Sequence, residues 1–258
     1  MNNLNSRKVP VTRLQHGKRV VSSDELAVEA VISLNYNGKR LATLLASPTD
    51  LEDLIIGHLA SEGYMTLDHL MECKGNGDVV RSSGGFEISL HHPAPLLNEI
   101  RTAGITNTSC GACNVDGLEE LITELPFVDR KLDFDPAILH RGLENMRDYQ
   151  HGFAKTGGMH CAGLLSIDGH LVHVAEDIGR HNAVDKLIGK SLGDPALKSA
   201  ILLLSGRCGW DIVAKAARAN ICTIASIGAA STLAVDCARR VGIQIYSFVR
   251  ADSAIIIG

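Results

Sequence analysis

Apolar and polar residues alternate over positions 26–34, Asn37-Gly38 follows, and positions 40–46 carry a returning apolar pattern. This predicts a β-hairpin, because alternation suits a half-buried strand and Asn-Gly supplies the positive φ of a tight turn. Ser47-Pro48-Thr49-Asp50 offers capping side chains ahead of an apolar run of helical spacing that starts at Leu51 and ends near Gly63. Positions 75–90 read as further strand around a Gly84-Gly85 turn, and positions 93–104 carry a mixed pattern. Positions 106–117 are small and polar without a period, which predicts a loop. Two helices are expected next, near 118–125 and 136–148, and Thr156-Gly157-Gly158 reads as a boundary or ligand loop.

Beyond that point the pattern becomes regular. Positions 161–167 and 171–176 flank Asp168-Gly169 as a second hairpin, and 180–190 follow as a helix. Apolar runs at 200–204, 221–227 and 243–249 are separated by helical patterns at 210–219 and 231–241. Strand-helix alternation of this kind implies right-handed crossovers and a largely parallel sheet covered on both faces. The expected fold class is α/β: a β-rich region over 1–150 that carries the polar loop, then a three-layer α/β/α ligand-binding domain over 151–258.

Composition narrows the function. The chain has 258 residues, 45% of them hydrophobic, enough for a full-sized core. Only 4% are aromatic and the net charge is −4, which argues against a nucleic-acid partner, since polyanion binders carry basic excess and stacking surfaces. No apolar stretch approaches the roughly 18 residues of a membrane span, and the first residues lack a signal peptide's apolar core. A soluble cytoplasmic protein with no membrane partner is expected. The seven cysteines are odd in number and scattered, which points to reduced thiols. Neither G-x-G-x-x-G after a strand, nor G-x4-G-K-[S/T], nor H-E-x-x-H occurs, so NAD enzymes, ordinary NTPases and zinc peptidases are poor candidates.

Three groups of residues carry chemistry. Cys110-Gly-Ala-Cys113 lies on the polar loop, where a thiolate can reach another molecule; disulfide exchange, half a zinc site and persulfide relay all use such a pair. A second zinc-binding pair at the usual spacing is missing, although His160 and Cys161 leave zinc open. Glu176-Asp-Ile-Gly-Arg-His-Asn-Ala-Val-Asp-Lys186 is the densest polar run and sits where a strand passes into a helix, a place that favours anions. Arg180, His181 and Lys186 are its candidate phosphate contacts; the alternative is a solvated helix face laced with ion pairs. Ser205-Gly-Arg207 and Ser226-Ile-Gly-Ala-Ala-Ser231 follow apolar runs, so Ser205 and Arg207 add a hydroxyl and a guanidinium at a strand end.

Taken in order, Leu26-Ala-Val-Glu29, Asn37-Gly38 with Leu41-Ala42, Ser109-Cys-Gly-Ala-Cys113, Thr156-Gly-Gly-Met-His160, Glu176 to Lys186, Ser205-Gly-Arg207 and Phe248-Val-Arg250 resemble the formate dehydrogenase accessory sulfurtransferase family, FdhD/NarQ. The resemblance implies a sulfurtransferase in which Cys110 carries a persulfide received from a cysteine desulfurase and Cys113 is its partner. It implies delivery to molybdenum or tungsten in a bis(molybdopterin guanine dinucleotide) cofactor, held as bound substrate and not as a permanent group, for the formate dehydrogenase catalytic subunit. The implied cofactor surface comprises Phe248, Val249, Arg250, Ala251, Asp252 and Ser253. Gly158 and His160 of the matching motif join it, as do Arg180, His181, Lys186, Ser205 and Arg207. The resemblance further implies a C-terminal domain similar to the cytidine deaminase fold and a homodimer; the deaminase chemistry does not carry over, since the H-x-E and P-C-x-x-C signature of zinc deaminases is absent, and no metal-ligating residue is expected. Asn114, Cys161 and Cys208 depart from the family pattern, and the two extra thiols could join a sulfur relay. The rival readings are a cofactor-holding chaperone without sulfur chemistry and a zinc-binding structural module.

Overall fold

The computed structural model describes residues 5–82, 84–98 and 124–258. The Cys110/Cys113 loop and most of the helix expected at 118–125 lie outside the described residues. The chain opens with a two-stranded antiparallel ribbon, β1 (Ser6–Gln15) and β2 (Lys18–Ala27), turned by His16 and Gly17 at positive φ. The strand expected over 26–34 is therefore broken: β2 ends at Ala27, Val28 N–H donates to the Asn5 carbonyl at 2.9 Å, and a new strand starts two residues later. That strand, β3 (Ala30–Tyr36), pairs with β4 (Lys39–Ala46) as the predicted hairpin, with Asn37 and Gly38 both at positive φ. β5 (Asp78–Ser82) and β6 (Gly85–Leu90) complete a four-stranded sheet in the order β4-β3-β6-β5.

Helix α1 (Leu51–Ser61) follows β4, and α2 (Leu67–Cys73) follows a short turn. The capping expected from residues 47–50 does not occur, for Asp50 is left-handed at φ 50° and its side chain caps nothing. Ser47 is used elsewhere, as described below.

The second half contains α3 (Ala137–Asn145), α4 (His151–Thr156), β7 (His160–Leu165), β8 (Leu171–Asp177), α5 (Arg180–Ser191), β9 (Ile201–Leu204), α6 (Trp210–Arg218), β10 (Thr223–Ser226), α7 (Thr232–Val241), β11 (Gln244–Ser247) and β12 (Ile255–Ile257). The strand-helix alternation is as predicted, but the sheet is mixed. Its order is β12-β11-β10-β9-β7-β8; only β9, β10 and β11 run parallel, because the β7-β8 hairpin and the returning β12 pair antiparallel.

Alternation along these strands sends Leu202, Leu204, Ile224 and Ile245 to one face, where α5, α6 and α7 cover them, and Ile201, Leu203, Ala225 and Tyr246 to the other. That second face is covered by Ile138, Leu139 and Leu143 of α3, which precede the expected division at residue 150. The sheet's packing thus draws on both sides of that boundary, and one continuous core also joins α5 to α1 and the four-stranded sheet. Helices α1 and α5 cross at backbone contact: a methyl group on Gly57 would overlap the Asp185 carbonyl, and one on Gly189 the Asp53 carbonyl.

A buried ionic cluster stitches this crossing to α6. Lys215 Nζ lies 2.8 Å from Asp185 Oδ1 and 2.7 Å from Glu62 Oε1, and donates to Ser61 Oγ at 2.9 Å. Ser61 Oγ donates to Asp185 at 2.6 Å, and His58 Nδ1 stands 3.4 Å from the same carboxylate. Each charged side chain of this cluster therefore has a partner of opposite charge or a hydrogen bond.

Candidate functional site

Parallel strands β9, β10 and β11 end at one edge of the sheet, and β7, antiparallel to β9, begins there. Their connections are tied to one another. Ser205 N–H donates to the Cys161 carbonyl at 3.0 Å, and Ser205 Oγ accepts from Cys161 N–H at 2.8 Å. Ser226 Oγ donates to the Gly206 carbonyl and accepts from Gly228 N–H at 3.0 Å. Phe248 N–H reaches the Gly228 carbonyl and Val249 N–H the Ser226 carbonyl, both at 3.0 Å. The Arg250 guanidinium donates to the carbonyls of Ile227 at 2.9 Å and Val249 at 2.8 Å, and Arg250 N–H to that of Ser253 at 2.8 Å. Gly228 must be small, since a methyl group there would sit 2.9 Å from the Gly206 carbonyl. The result is a low rim of fixed loops from which Arg207, Phe248 and Arg250 project into solvent.

His160, at the head of β7, is part-buried beside this rim, and a methyl group on Gly206 would lie 3.2 Å from its Nδ1. Burial pushes its imidazole below the ordinary range, and the Arg180 and Arg207 charges push it further while Asp177 opposes them. A neutral imidazole flanked by two guanidiniums leaves the cationic character of the edge to arginine. Arg180 opens α5 with its side chain one-third exposed; its Nη2 is 3.8 Å from Asp211 Oδ2, while its Nε is buried without a hydrogen-bond partner among the described residues. Three guanidiniums, small loops and the first turn of a twelve-residue helix form an arrangement that favours a phosphorylated anion.

The Glu176 to Lys186 run divides between surface and interior, and it is not the solvated ion-paired face considered as the alternative. Asp177 is fully buried: Oδ2 accepts from Lys186 Nζ at 2.7 Å and Ser47 N–H at 3.0 Å, and Oδ1 accepts from Gly179 N–H at 2.8 Å and Asn182 Nδ2 at 3.1 Å. Lys186 Nζ also donates to the Ser47 carbonyl at 2.9 Å, Asn182 to the Leu45 carbonyl at 2.8 Å, and Ser47 Oγ accepts from Ile178 N–H at 3.0 Å. Ser47 and Asp177 thereby pin the start of α5 to the end of β4. Glu176 accepts from the Gly152 and Phe153 amides at 2.7 and 3.0 Å and so caps α4.

Three expected contact residues are corrected by this packing. Lys186 is wholly buried in its ion pair, so it braces the helix and offers no charge to a ligand. His181 is 4% exposed and turned onto Asp211; burial first, then the Arg180 charge, lowers it to about 3, so it is neutral at physiological pH. Val249 alternates away from Phe248 into the core beneath the sheet. The remaining expected residues, Gly158, His160, Arg180, Ser205, Arg207, Phe248, Arg250, Ala251, Asp252 and Ser253, are exposed or part-exposed. Sequence reasoning missed Asp211, whose carboxylate contacts both Arg180 and His181; its position opening α6 after Gly209 was the available signal.

The two extra thiols do not face this edge freely. Cys161 is 3% exposed, on the sheet face opposite to its neighbour His160, and burial pushes its thiol up to about 12. Cys208 is fully buried and also raised to about 12, by burial and then by Asp211. His160 and Cys161 lie on opposite faces of β7, and no group of three or more ligand-type side chains gathers among the described residues. Nor is any helix among them long and apolar enough to cross a membrane.

Comparison with known proteins agrees with this architecture. Sulfur carrier protein FdhD of Anaeromyxobacter sp. strain K is 37% identical, covering 93% of this chain and 88% of its own. The proteins of the same name from Streptomyces coelicolor and Shewanella oneidensis are each 34% identical, over 94% and 95% of this chain and 90% and 88% of theirs. A crystal structure from Desulfotalea psychrophila, described as a formate dehydrogenase accessory protein, superposes with a TM-score of 0.77 over 98% of this chain and 96% of its own, at 24% identity. The sequence model of the FdhD/NarQ family matches residues 27–257, and this chain belongs to that family.

Proposed function

We propose that this chain is a sulfur carrier in formate dehydrogenase maturation, with Cys110 as the sulfur-bearing residue and the cationic sheet edge as the seat of the substrate cofactor. The Cys110 thiolate attacks the terminal sulfur of a donor persulfide on a cysteine desulfurase; the donor S–S bond breaks and the donor leaves as thiolate. Cys110 then holds a persulfide. Attack by the Cys113 thiolate on Cys110 Sγ forms a disulfide between the two residues and releases sulfide to the metal of a bis(molybdopterin guanine dinucleotide) held by its phosphates. Sulfur is reduced and the thiol pair oxidised, so a thiol reductant resets the carrier.

The observation that supports this reading is the gathering of Arg180, Arg207 and Arg250 with His160 at one sheet edge, in a chain whose relatives are named sulfur carriers. A protein that only held the cofactor would need the edge and not the thiols. Incubation with a cysteine desulfurase and cysteine should add the mass of one sulfur atom, removable by a thiol reductant. Cys110→Ala should gain none; equal loading of that variant would refute the assignment, and full support of formate dehydrogenase activity by a Cys110→Ala/Cys113→Ala double variant would favour the chaperone.

A further inference from the structure

A carboxylate stands beside the cationic edge, where it would oppose the binding of an anion. Asp211, the second residue of α6, is 7% exposed. One side of its carboxylate is fixed: the amides of Asp211 and Ile212 donate to it, and it curls so closely over Gly209 that a methyl group there would overlap Oδ1. His181 Nε2 is in direct contact with the other oxygen, Oδ2. The charges of Arg180 and Lys215 both act on this carboxylate. Lys215 is committed elsewhere, to Asp185 at 2.8 Å and Glu62 at 2.7 Å. Arg180 is not: its Nη2 stands 3.8 Å from Oδ2, beyond hydrogen-bond length, and its buried Nε has no partner among the described residues.

The Arg180-Asp211 pair is thus an unfinished one. It gives a buried carboxylate a cation to face, while the donors of the guanidinium stay unused. The Arg180 side chain is one-third exposed, so a phosphate from solvent can reach it and offer two oxygens in the plane of the guanidinium, a stronger partner than a carboxylate out of bonding range. Phosphate and Asp211 then share one cation, and each weakens the hold of the other. A carrier that must hand its cofactor on is served by such a competitor, because affinity lost in this way is expressed mainly as faster release.

We propose that Asp211 is a placeholder anion: it holds Arg180 in the empty site, yields it to a phosphate of the substrate, and by competing for that guanidinium shortens the substrate's stay. The inference rests on the cofactor seat of the proposed function and not on the sulfur chemistry of Cys110. The probe is N-methylanthraniloyl guanosine diphosphate, with Trp210, the one tryptophan of the chain, as energy donor. At pH 8, Asp211→Asn should bind the probe about three- to tenfold more tightly than wild type, through slower dissociation, a gain that damage to the fold does not produce. In an Arg180→Ala background the same substitution should gain less than about twofold, since the competition acts through Arg180. Should Asp211→Asn lose the wild-type circular dichroism, Asp211→Ser, which also accepts from first-turn amides, takes its place. Equal or weaker binding by the variant, or a gain that persists in full without Arg180, would overturn the proposal. A wild type that binds no nucleotide would remove the seat and this inference with it, whereas the expected affinities together with failed sulfur loading would remove only the chemistry assigned to Cys110.

Discussion

Single side chains divide into those that burial silences and those that the fold leaves poised. Cys161 and Cys208 belong to the first kind: with thiols near 12, almost no thiolate exists at neutral pH, and thiolate is the reactive species. Neither should react with iodoacetamide at pH 8 in the native protein, and both should react once it is denatured; peptide mapping of the two samples checks this, and native labelling would restore them to the relay. Arg180 belongs to the second kind, with a half-free guanidinium at a helix start. Arg180→Ala should weaken binding of guanosine diphosphate, a fragment of the proposed substrate, by about 1 to 3 kcal/mol, the loss of a charge-assisted hydrogen bond. Sulfur loading should survive that change and delivery to the dehydrogenase should fail. Titration calorimetry showing equal affinity in both proteins would return Arg180 to a structural part.

Secondary-structure elements are held in place by contacts that leave little trace in a local pattern. The α1-α5 crossing depends on Gly57 and Gly189, each facing a carbonyl of the other helix. Gly57→Ala should therefore destabilise the protein by about 1 to 3 kcal/mol, as overpacking does, even though alanine is the better helix former. Denaturant titration measures it, and a stabilised variant would show that the helices separate at no cost. In the sequence Gly57 is only a weak residue inside an apolar period; its reason is the backbone of α5, more than a hundred residues away. The same distance effect explains the other misreadings. The β3-β4 hairpin, the second hairpin and the order of α5 to β11 were legible because period and turn chemistry act over neighbouring residues. The antiparallel β12, the broken strand at Val28 and the ribbon were not, since strand direction and sheet membership are settled by distant partners. Within the site, Arg180, Ser205 and Arg207 were legible as polar residues at strand or helix ends. Lys186 and Val249 were not separable from them, because only the packed structure shows Lys186 meeting Asp177 and Val249 turning under the sheet.

The molecule as a whole is fastened across its middle by the Lys215 cluster, and that gives its stability a defined pH dependence. Burial alone would raise the Asp185 carboxyl, but the Lys215 ammonium and the His58 hydrogen bond outweigh it and hold it at about 2, below its ordinary 3.8. Glu62 is likewise lowered, burial being outweighed by Lys215. Both carboxylates have folded values below their unfolded ones, so their contribution is complete above the unfolded value and disappears as pH falls through the folded one. Lys215 is raised, its two carboxylate partners outweighing burial, so its contribution is complete below its ordinary 10.5 and fades only as pH climbs beyond that. Between about pH 5 and 9 the cluster should therefore add a constant stability, and below pH 4 the denaturation midpoint should drop steeply toward pH 2. Asp185→Asn should flatten that acid limb while lowering stability near neutrality, for Lys215 then keeps only Glu62. Lys215→Met should cost more, about 3 to 5 kcal/mol, since it leaves the Asp185 and Glu62 carboxylates facing each other with only the more distant Arg218 guanidinium, 4.0 Å from Glu62, to offset them. Urea midpoints measured from pH 2 to 8 on the three proteins decide the matter: an acid limb equally steep in Asp185→Asn would assign the pH dependence to other carboxylates and reduce this cluster to a neutral fastening.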